Sequence, residues 1–479
     1  MYLGLDIGTS GVKAVVMGDR DRLAAEASAP LDVSRPYPRW AEQNAEDWWQ
    51  AVCRALDMLA AKAPEAIAAV DAIGLSGQML GVALLDEDDR PIRPALLWND
   101  GRASAECAEL ETRFPDFVDT VGCRAMPGFS APKLLWLATH EPAALARTKR
   151  VLLTKDYVRL RLTGEFASDR ADASATLLMN TRAGDWHDGI MAACGIDRAR
   201  LPRLVESAEI AGVVRDDLAA RWGLPKKTPV VGGGGDNMCA GVGVGAVRSG
   251  DAYIGLGTSG VYFLANDTFV PARSGGMHTH RHAVRGLFCQ NAVVLSAGAA
   301  FTWVARLLRA DVGALIAEVE ATGLSPAETP VFTPYLAGER TPHDDPTLTA
   351  AFSALGHDTG PLHLAQAVME GVALALADGH DALTGSGARI DAVTLTGGGA
   401  RSRLWTRLIA AAIGLPVSVQ TDAATGPALG AARLARQGMG GPLIGGAASP
   451  AVRIGVEPPL REQLLQKRIL FRKHPDLSR

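Results

Sequence analysis

The residue best placed to do chemistry is Asp236. Thr228 to Gly241 reads Thr-Pro-Val-Val-Gly-Gly-Gly-Gly-Asp-Asn-Met-Cys-Ala-Gly, a short apolar run that delivers a carboxylate through four consecutive glycines. Glycines admit backbone conformations and close approaches that side chains forbid, so the run describes a loop where substrate and backbone meet, with Asn237 beside the acid. A carboxylate there can accept a proton from a hydroxyl. The competing reading is a turn whose Asp caps a helix starting near Asn237.

Anion chemistry is expected at the N-terminus. Met1 to Gly18 holds an apolar strand, a Gly/Thr/Ser turn and a second apolar strand, which predicts a hairpin with a polar tip. The tip presents backbone N–H groups and the hydroxyls of Thr9 and Ser10 to an anion, with Lys13 adding charge and Asp6 placed to hold a metal-bound water. Gly-Thr-Ser-Gly-Val occurs at Gly8 to Val12 and again at Gly257 to Val261, both times between apolar runs. The repeat predicts two related halves, each with a phosphate-cradling hairpin that includes Gly257 and Thr258 in the second, and a nucleotide between them. Asp6 aligns with Gly255, so only one copy carries the carboxylate. That asymmetry suits a single metal-bridged triphosphate.

Further candidates lie at other strand ends, where α/β proteins bind ligands. Ile73 to Met79 ends in Gln78 and Met79, and Ala95 to Asp100 ends in Trp98-Asn99-Asp100. Gln78 and Asp100 read either as turn residues or as hydrogen-bond partners for sugar hydroxyls, while Trp98 offers an apolar wall to sugar C–H surface. Val393 to Thr396 reads as a strand running into Gly397-Gly398-Gly399, with a helix from about Ser402 through Leu408. Such a turn lets an adenine lie close to the backbone. Trp48, Val52, Leu56 and Leu59 recur at helical spacing and read as core. His278, His280 and His282 would put three imidazoles on one strand face, but no acidic or cysteine partner lies nearby, which disfavours a metal site.

The rest of the chain must position these residues. With 479 residues, 48% of them hydrophobic and 21% charged, it is too long for one ordinary core, and two domains are expected, at 1–244 and 245–479. A net charge of −4 and the lack of a long basic run argue against nucleic acid and anionic membranes as partners. Six cysteines without a Cys-x-x-Cys spacing suggest neither a zinc site nor a disulfide framework, so a reducing cytoplasm is expected. No apolar segment reaches membrane-spanning length.

Five segments together resemble the FGGY carbohydrate kinases: Leu5 to Lys13, Gly77-Gln78-Met79, Trp98 to Arg102, Gly233 to Asn237, and Thr396 to Ser402. Gly128 to His140, containing Lys133-Leu134-Leu135-Trp136, and Gly338 to Pro342 also look like family segments. The stretch Ala351 to Glu370 fits less well, with Ala354 where the family usually has Gly. The resemblance implies an α/β fold of two related actin/Hsp70-like (ribonuclease H-like) ATPase domains with a catalytic cleft between them. It implies phosphoryl transfer from MgATP to a hydroxyl of a small ketose, by analogy the 5-hydroxyl of D-xylulose, with Asp236 as general base. Thr9, Ser10, Lys13, Gly257, Thr258, Gly398, Gly399 and Ser402 would bind ATP. Asp6 would orient Mg2+ through water, and Gln78, Met79, Leu80, Trp98, Asp100 and Asn237 would bind sugar. Leu80 stands where xylulose-phosphorylating members usually have His, so another ketose or a polyol stays open as substrate. A non-kinase ATPase of the same superfamily is the more distant alternative, and a homodimer is left open.

Overall fold

The computed structural model describes residues 1–273, 275–419, 426–444 and 452–473. The alternating apolar runs at the N-terminus form the hairpin Tyr2–Ile7 and Gly11–Met17, extended on one side by Leu23–Pro30 and on the other by the parallel strand Ala72–Gly77, then Pro229–Val231 and Ile210–Val213. The second half repeats this order. Its hairpin Asp251–Leu256 and Gly260–Asn266 is followed by antiparallel Phe288–Val294 and His278–Arg281, while the parallel strand Ala392–Thr396 pairs on the other side. The duplicated pentapeptide therefore marks a duplicated sheet.

The copies differ at their turns. Ile7 faces Val12 across the first ladder, whereas Leu256 faces Gly260 across the second, so the second hairpin closes one residue tighter. Asp6 faces Lys13, which places a carboxylate and an ammonium side by side on one face of the first hairpin.

Two helices lie between the sheets. Asp236–Val244 follows the glycine run, and Gly426–Gly438 returns from late in the chain to pack on the strands Tyr2–Ile7 and Ala72–Gly77 of the first sheet. The approach is backbone to backbone. A Cβ on Gly74 would stand 1.8 Å from the Ala431 carbonyl oxygen, and one on Gly430 would stand 1.8 Å from that of Cys239. Arg433 locks the arrangement by donating to the carbonyls of Val242 and Gly243, at 2.8 and 3.0 Å, and to Asp21 Oδ2 at 2.9 Å. A cation at the carboxyl end of a helix also satisfies its last carbonyls and its dipole.

The predicted amphipathic helix spans Ala45–Lys62, capped by Asn44, whose side chain accepts from the Glu46 N–H at 3.1 Å. Trp48, Val52, Leu56 and Leu59 are all fully buried against the first sheet, which is the core role their spacing predicts. Three other expectations shift. Ala95 to Asp100 is a strand only at Ala95–Leu96, the helix expected near Asn237 begins at Asp236, and the one expected from Ser402 runs Arg403–Ile413.

The glycine contacts give a direct test. Gly74→Ala is expected to force the helix Gly426–Gly438 off the sheet and lower unfolding free energy by about 1–3 kcal/mol, as overpacked cores do. Gly455→Ala, at a site with nothing within 4 Å of the added Cβ, is the control and should change stability by less than about 0.5 kcal/mol in urea unfolding.

Candidate functional site

Parallel pairing brings the carboxylates together. Asp6 is in register with Ser76, and Ser76 with Gly234, so the ends of three strands converge just before Asp236. Ser76 Oγ donates to Asp6 Oδ1 at 2.9 Å. Burial pushes the Asp6 carboxyl up to about 6, against the opposing effects of that hydrogen bond and of Lys13. Asp236 opens its helix after the extended Gly235, and its Oδ1 accepts from the Asn237 N–H at 2.7 Å. Burial first, and then the charge of Asp6, push Asp236 up to about 8 although its own backbone hydrogen bond acts the other way. A carboxyl so raised is a stronger base than one in water, and its repulsion from Asp6 is relieved by either a proton or a cation.

A closed ring of hydrogen bonds joins the first turn to the neighbouring strand end. Thr9 Oγ1 donates to Gln78 Oε1 and accepts from Trp98 Nε1, both at 2.9 Å. Gln78 Nε2 donates to Gln43 Oε1 at 2.8 Å, and Gln43 Nε2 returns to the Thr9 carbonyl at 2.8 Å. Thr9 was expected to use its hydroxyl on a phosphate. Here the hydroxyl is engaged with Gln78 and Trp98, which leaves its backbone N–H for an anion. Gln78 is 1% exposed and acts as a strut, whereas Trp98, 46% exposed, keeps a free indole surface. Met79 leans on Gly235, and its sulfur accepts from Asn237 Nδ2 at 3.7 Å. Ser10 is exposed at the tip, and Lys13 also meets Glu26 at 3.2 Å.

Asp100 was expected to meet a sugar hydroxyl. Its carboxylate is 1% exposed and accepts from Arg102 Nε at 2.8 Å, from the Arg102 terminal nitrogen at 2.7 Å and from the Ala41 N–H at 2.7 Å. With both oxygens engaged it braces the wall behind Trp98. Leu80 adopts a left-handed conformation, φ 68°, rare for a branched side chain and retained where surroundings enforce it. The enforcing groups are Ser130 Oγ and Lys133 Nζ, which donate to its carbonyl at 3.0 and 2.7 Å. Its half-buried side chain packs against two hydrophobic clusters, each drawing residues from both halves.

The sequence marked Lys133 only as part of a family-like segment and did not mark Lys155, and these two hold the site from behind. Buried Lys133 also donates to the carbonyls of Leu96 and Leu97, at 3.1 and 2.9 Å, and so ties the strand ends bearing Leu80 and Trp98 to one cation. Lys155 sits under the glycine run with Asp156, Asp169 and Asp172 around it. A pattern scan sees only scattered charges at these positions, because the cluster forms through the fold.

On the second half, a cavity of about 660 Å³ opens beside the turn Gly257-Thr258 and is floored by Gly398, Gly399, Trp303 and Trp405. Gly398 faces open space, while a side chain on Gly399 would collide with Leu256. The Gly257 and Thr258 carbonyls accept from the N–H groups of Gly298, Ala297 and Ala299, fixing the turn onto a helix start. Ser402 was expected to bind ATP. Its hydroxyl caps the helix Arg403–Ile413 by accepting from the Trp405 N–H at 3.2 Å and donates to Glu320 Oε1 at 2.7 Å, outside the cavity lining. A separate cavity of about 510 Å³, beside Glu320, Arg403 and Glu457, holds none of the candidate residues. His278 and His280 pack on Phe129, and burial holds both imidazoles below their usual range.

Among the described residues, no group of three His, Cys, Asp or Glu side chains converges to hold a metal by itself. The donor set around Asp6 and Asp236 instead fits a cation that arrives with ligands of its own, one that the two raised carboxyls would attract. Lys133 carries the prediction for the scaffold. Lys133→Met leaves three backbone carbonyls without their shared donor and is expected to lower stability in urea unfolding by at least about 2 kcal/mol.

Comparison with known proteins agrees with this architecture. Residues 1–243 match the N-terminal domain, and residues 252–438 the C-terminal domain, of the FGGY family of carbohydrate kinases. The chain is 45% identical to xylulose kinase of Escherichia coli (strain K12) over 437 residues, 91% of this chain and 90% of that one. A crystal structure described as a xyloylose kinase from Brucella ovis superposes with a TM-score of 0.96 at 40% identity, covering 100% of this chain and 99% of that one. Xylulose kinase from Rhodospirillum rubrum superposes at 0.92 with 29% identity, covering all of both chains. With two actin/Hsp70-like ATPase halves, a duplicated hairpin and matches along most of its length, the chain belongs to the FGGY family of carbohydrate kinases and is a phosphotransferase using a sugar and ATP.

Proposed function

We propose that the protein transfers the γ-phosphoryl group of ATP to the 5-hydroxyl of D-xylulose, with Asp236 as general base. The single observation that carries the reading is the placement of Asp236, delivered by a glycine run to a partly dry position beside Asp6 where its carboxyl is raised to about 8. The names of the similar proteins supply the sugar. The hydroxyl to be phosphorylated donates to Asp236, which takes its proton as the new P–O bond forms. General-base assistance of this kind contributes about 10²–10⁴-fold.

The backbone N–H groups of Thr9 and Ser10, with Lys13, receive the phosphates from one half, and Gly257 and Thr258 receive them from the other. Gly398 and Gly399 form the floor for adenine. Asp6 would hold Mg2+ through water, and the metal would neutralise phosphate charge. Trp98, Met79, Leu80 and Asn237 form the sugar wall, and the domains divide at 244/245. All six cysteines are unpaired, which supports a reducing cytoplasm. The chemistry as proposed uses one copy of the chain, and a homodimer stays open.

A second reading is a kinase for a less polar ketose, favoured by the apolar, half-buried Leu80. Measuring kcat/KM of wild type and Leu80→His on xylulose and on a deoxy-ketose separates the two. On the xylulose reading the variant matches or exceeds wild type, and on the other it loses about 1–3 kcal/mol of transition-state binding.

Asp236→Asn is expected to abolish most sugar phosphorylation while nucleotide binding survives, and near-normal turnover would remove the assignment. The same variant has a stability signature. A carboxyl whose folded value, about 8, lies above its ordinary value of 3.8 loses its stabilising contribution as pH rises from the unfolded value through the folded one, so the melting temperature of Asp236→Asn should gain on wild type between about pH 4 and about pH 8. Thr258→Val should raise KM for ATP more than KM for sugar. An effect confined to the sugar would refute the pairing of the two hairpins around one nucleotide.

A further inference from the structure

Beneath the glycine approach to Asp236 lies a group of charged side chains that the reaction as described does not use. Lys155 Nζ meets Asp156 Oδ1 at 2.8 Å, Asp169 Oδ2 at 2.7 Å and Asp172 Oδ2 at 3.0 Å, and Arg159 meets Asp156 Oδ1 at 2.5 Å, with all five side chains 0% exposed. Three carboxyls face two cations, so the ionised cluster holds one surplus negative charge. Asp156 and Asp169 alone would balance Lys155 and Arg159. An unbalanced buried charge opposes folding, and its presence at a cleft points to function more readily than to stability.

The geometry picks out Asp172 as the surplus member. Its Oδ1 has no hydrogen-bond partner among the described residues and stands 3.1 Å from where a Cβ on Gly235 would lie, one residue before Asp236. Other members of the cluster grip the earlier glycines. Arg159 donates to the Gly232 carbonyl, and Ser207, whose hydroxyl reaches Asp169 Oδ1 at 3.5 Å, accepts from the Gly233 N–H through its carbonyl at 2.7 Å. Gly77, paired with Gly235 in the ladder, has the Lys155 stem 3.2 Å from its own missing Cβ. A side chain at Gly77 would press on Lys155, and one at Gly235 would press first on Met79, at 2.5 Å, and then on Asp172 Oδ1.

We propose that Asp172 is a positioning residue for Asp236: wedged between the Lys155 ammonium and Gly235, it fixes the direction in which the Asp236 carboxylate leaves the strand. This rests on the reading of Asp236 as the base. The charge of Asp172 also adds to burial and to Asp6 in making Asp236 hold its proton more firmly. A positioning role separates from a structural one because removing the surplus charge relieves the cluster while loosening the base.

The test is Asp172→Asn in the full chain, with Asp172→Glu beside it. Asp172→Asn is expected to melt at or above the wild-type temperature, to keep KM for ATP and sugar within about twofold, and to lose about tenfold to a hundredfold in kcat. The acid limb of its kcat/KM profile should move to lower pH, while Asp172→Glu should keep the limb and still lose kcat. Unchanged kcat and an unchanged limb in Asp172→Asn would overturn the proposal. So would a variant that fails to fold or melts lower, since the charge would then be structural. If Asp236→Asn kept normal turnover, the base assignment itself would fall, whereas an inactive Asp236→Asn beside a fully active Asp172→Asn removes the positioning role alone.

Discussion

Repulsion between two carboxyls held in a partly dry place is the interaction on which the remainder of the structure turns. Asp6 and Asp236 reach the same region because one parallel ladder fixes Asp6 to Ser76 and Ser76 to Gly234. Neither acid can swing away, since each follows directly from a strand or a helix start. The surrounding groups temper the repulsion. Ser76 donates to Asp6, Lys13 faces it across the hairpin, and the helix start at Asp236 directs an N–H at the second carboxylate. On the proposed reading, a phosphoryl donor with its cation would complete this balance, so that binding and charge neutralisation would become one event.

The two halves contribute unequally to that balance. The first hairpin carries Asp6 and ties its turn to Gln78, Gln43 and Trp98, while the second carries Gly255 in place of the acid and closes one residue tighter over a cavity of about 660 Å³. The duplicated pentapeptide thus frames a charged, hydrogen-bonded wall on one side and a glycine-floored slot on the other. On the proposed reading, the divergence between the copies would separate the place where a proton moves from the place where adenine lies.

Much of this was legible in the sequence because it was written locally. Alternating apolar residues around Gly-Thr-Ser-Gly-Val specify hairpins, and Trp48, Val52, Leu56 and Leu59 specify a buried helix face, with only near neighbours needed to decide them. Three side chains engaged within the fold share one feature. Thr9, Asp100 and Ser402 are polar residues in ligand-like positions, and each found a partner far along the chain or in the adjoining turn: Gln78 and Trp98, Ala41 and Arg102, Glu320 and Trp405. The supports around Lys133 and Lys155 were illegible for the same reason, since their carbonyl and carboxylate partners converge only after the strands have paired. A motif can show which atoms are offered, but the fold decides which of them remain available.

The return of helix Gly426–Gly438 onto the first sheet bears on how the chain assembles. The strands carrying Gly4 and Gly74 are synthesised well before the backbone that covers them, which belongs to residues beyond 426. During synthesis the early half must hold that sheet face without its covering helix, and closing the contact spans most of the sequence, an arrangement associated with slow, late consolidation. The first half is therefore a folding unit on the page but an unfinished one at the ribosome, and a nascent chain halted before residue 426 would present a bare apolar sheet to whatever chaperone is at hand.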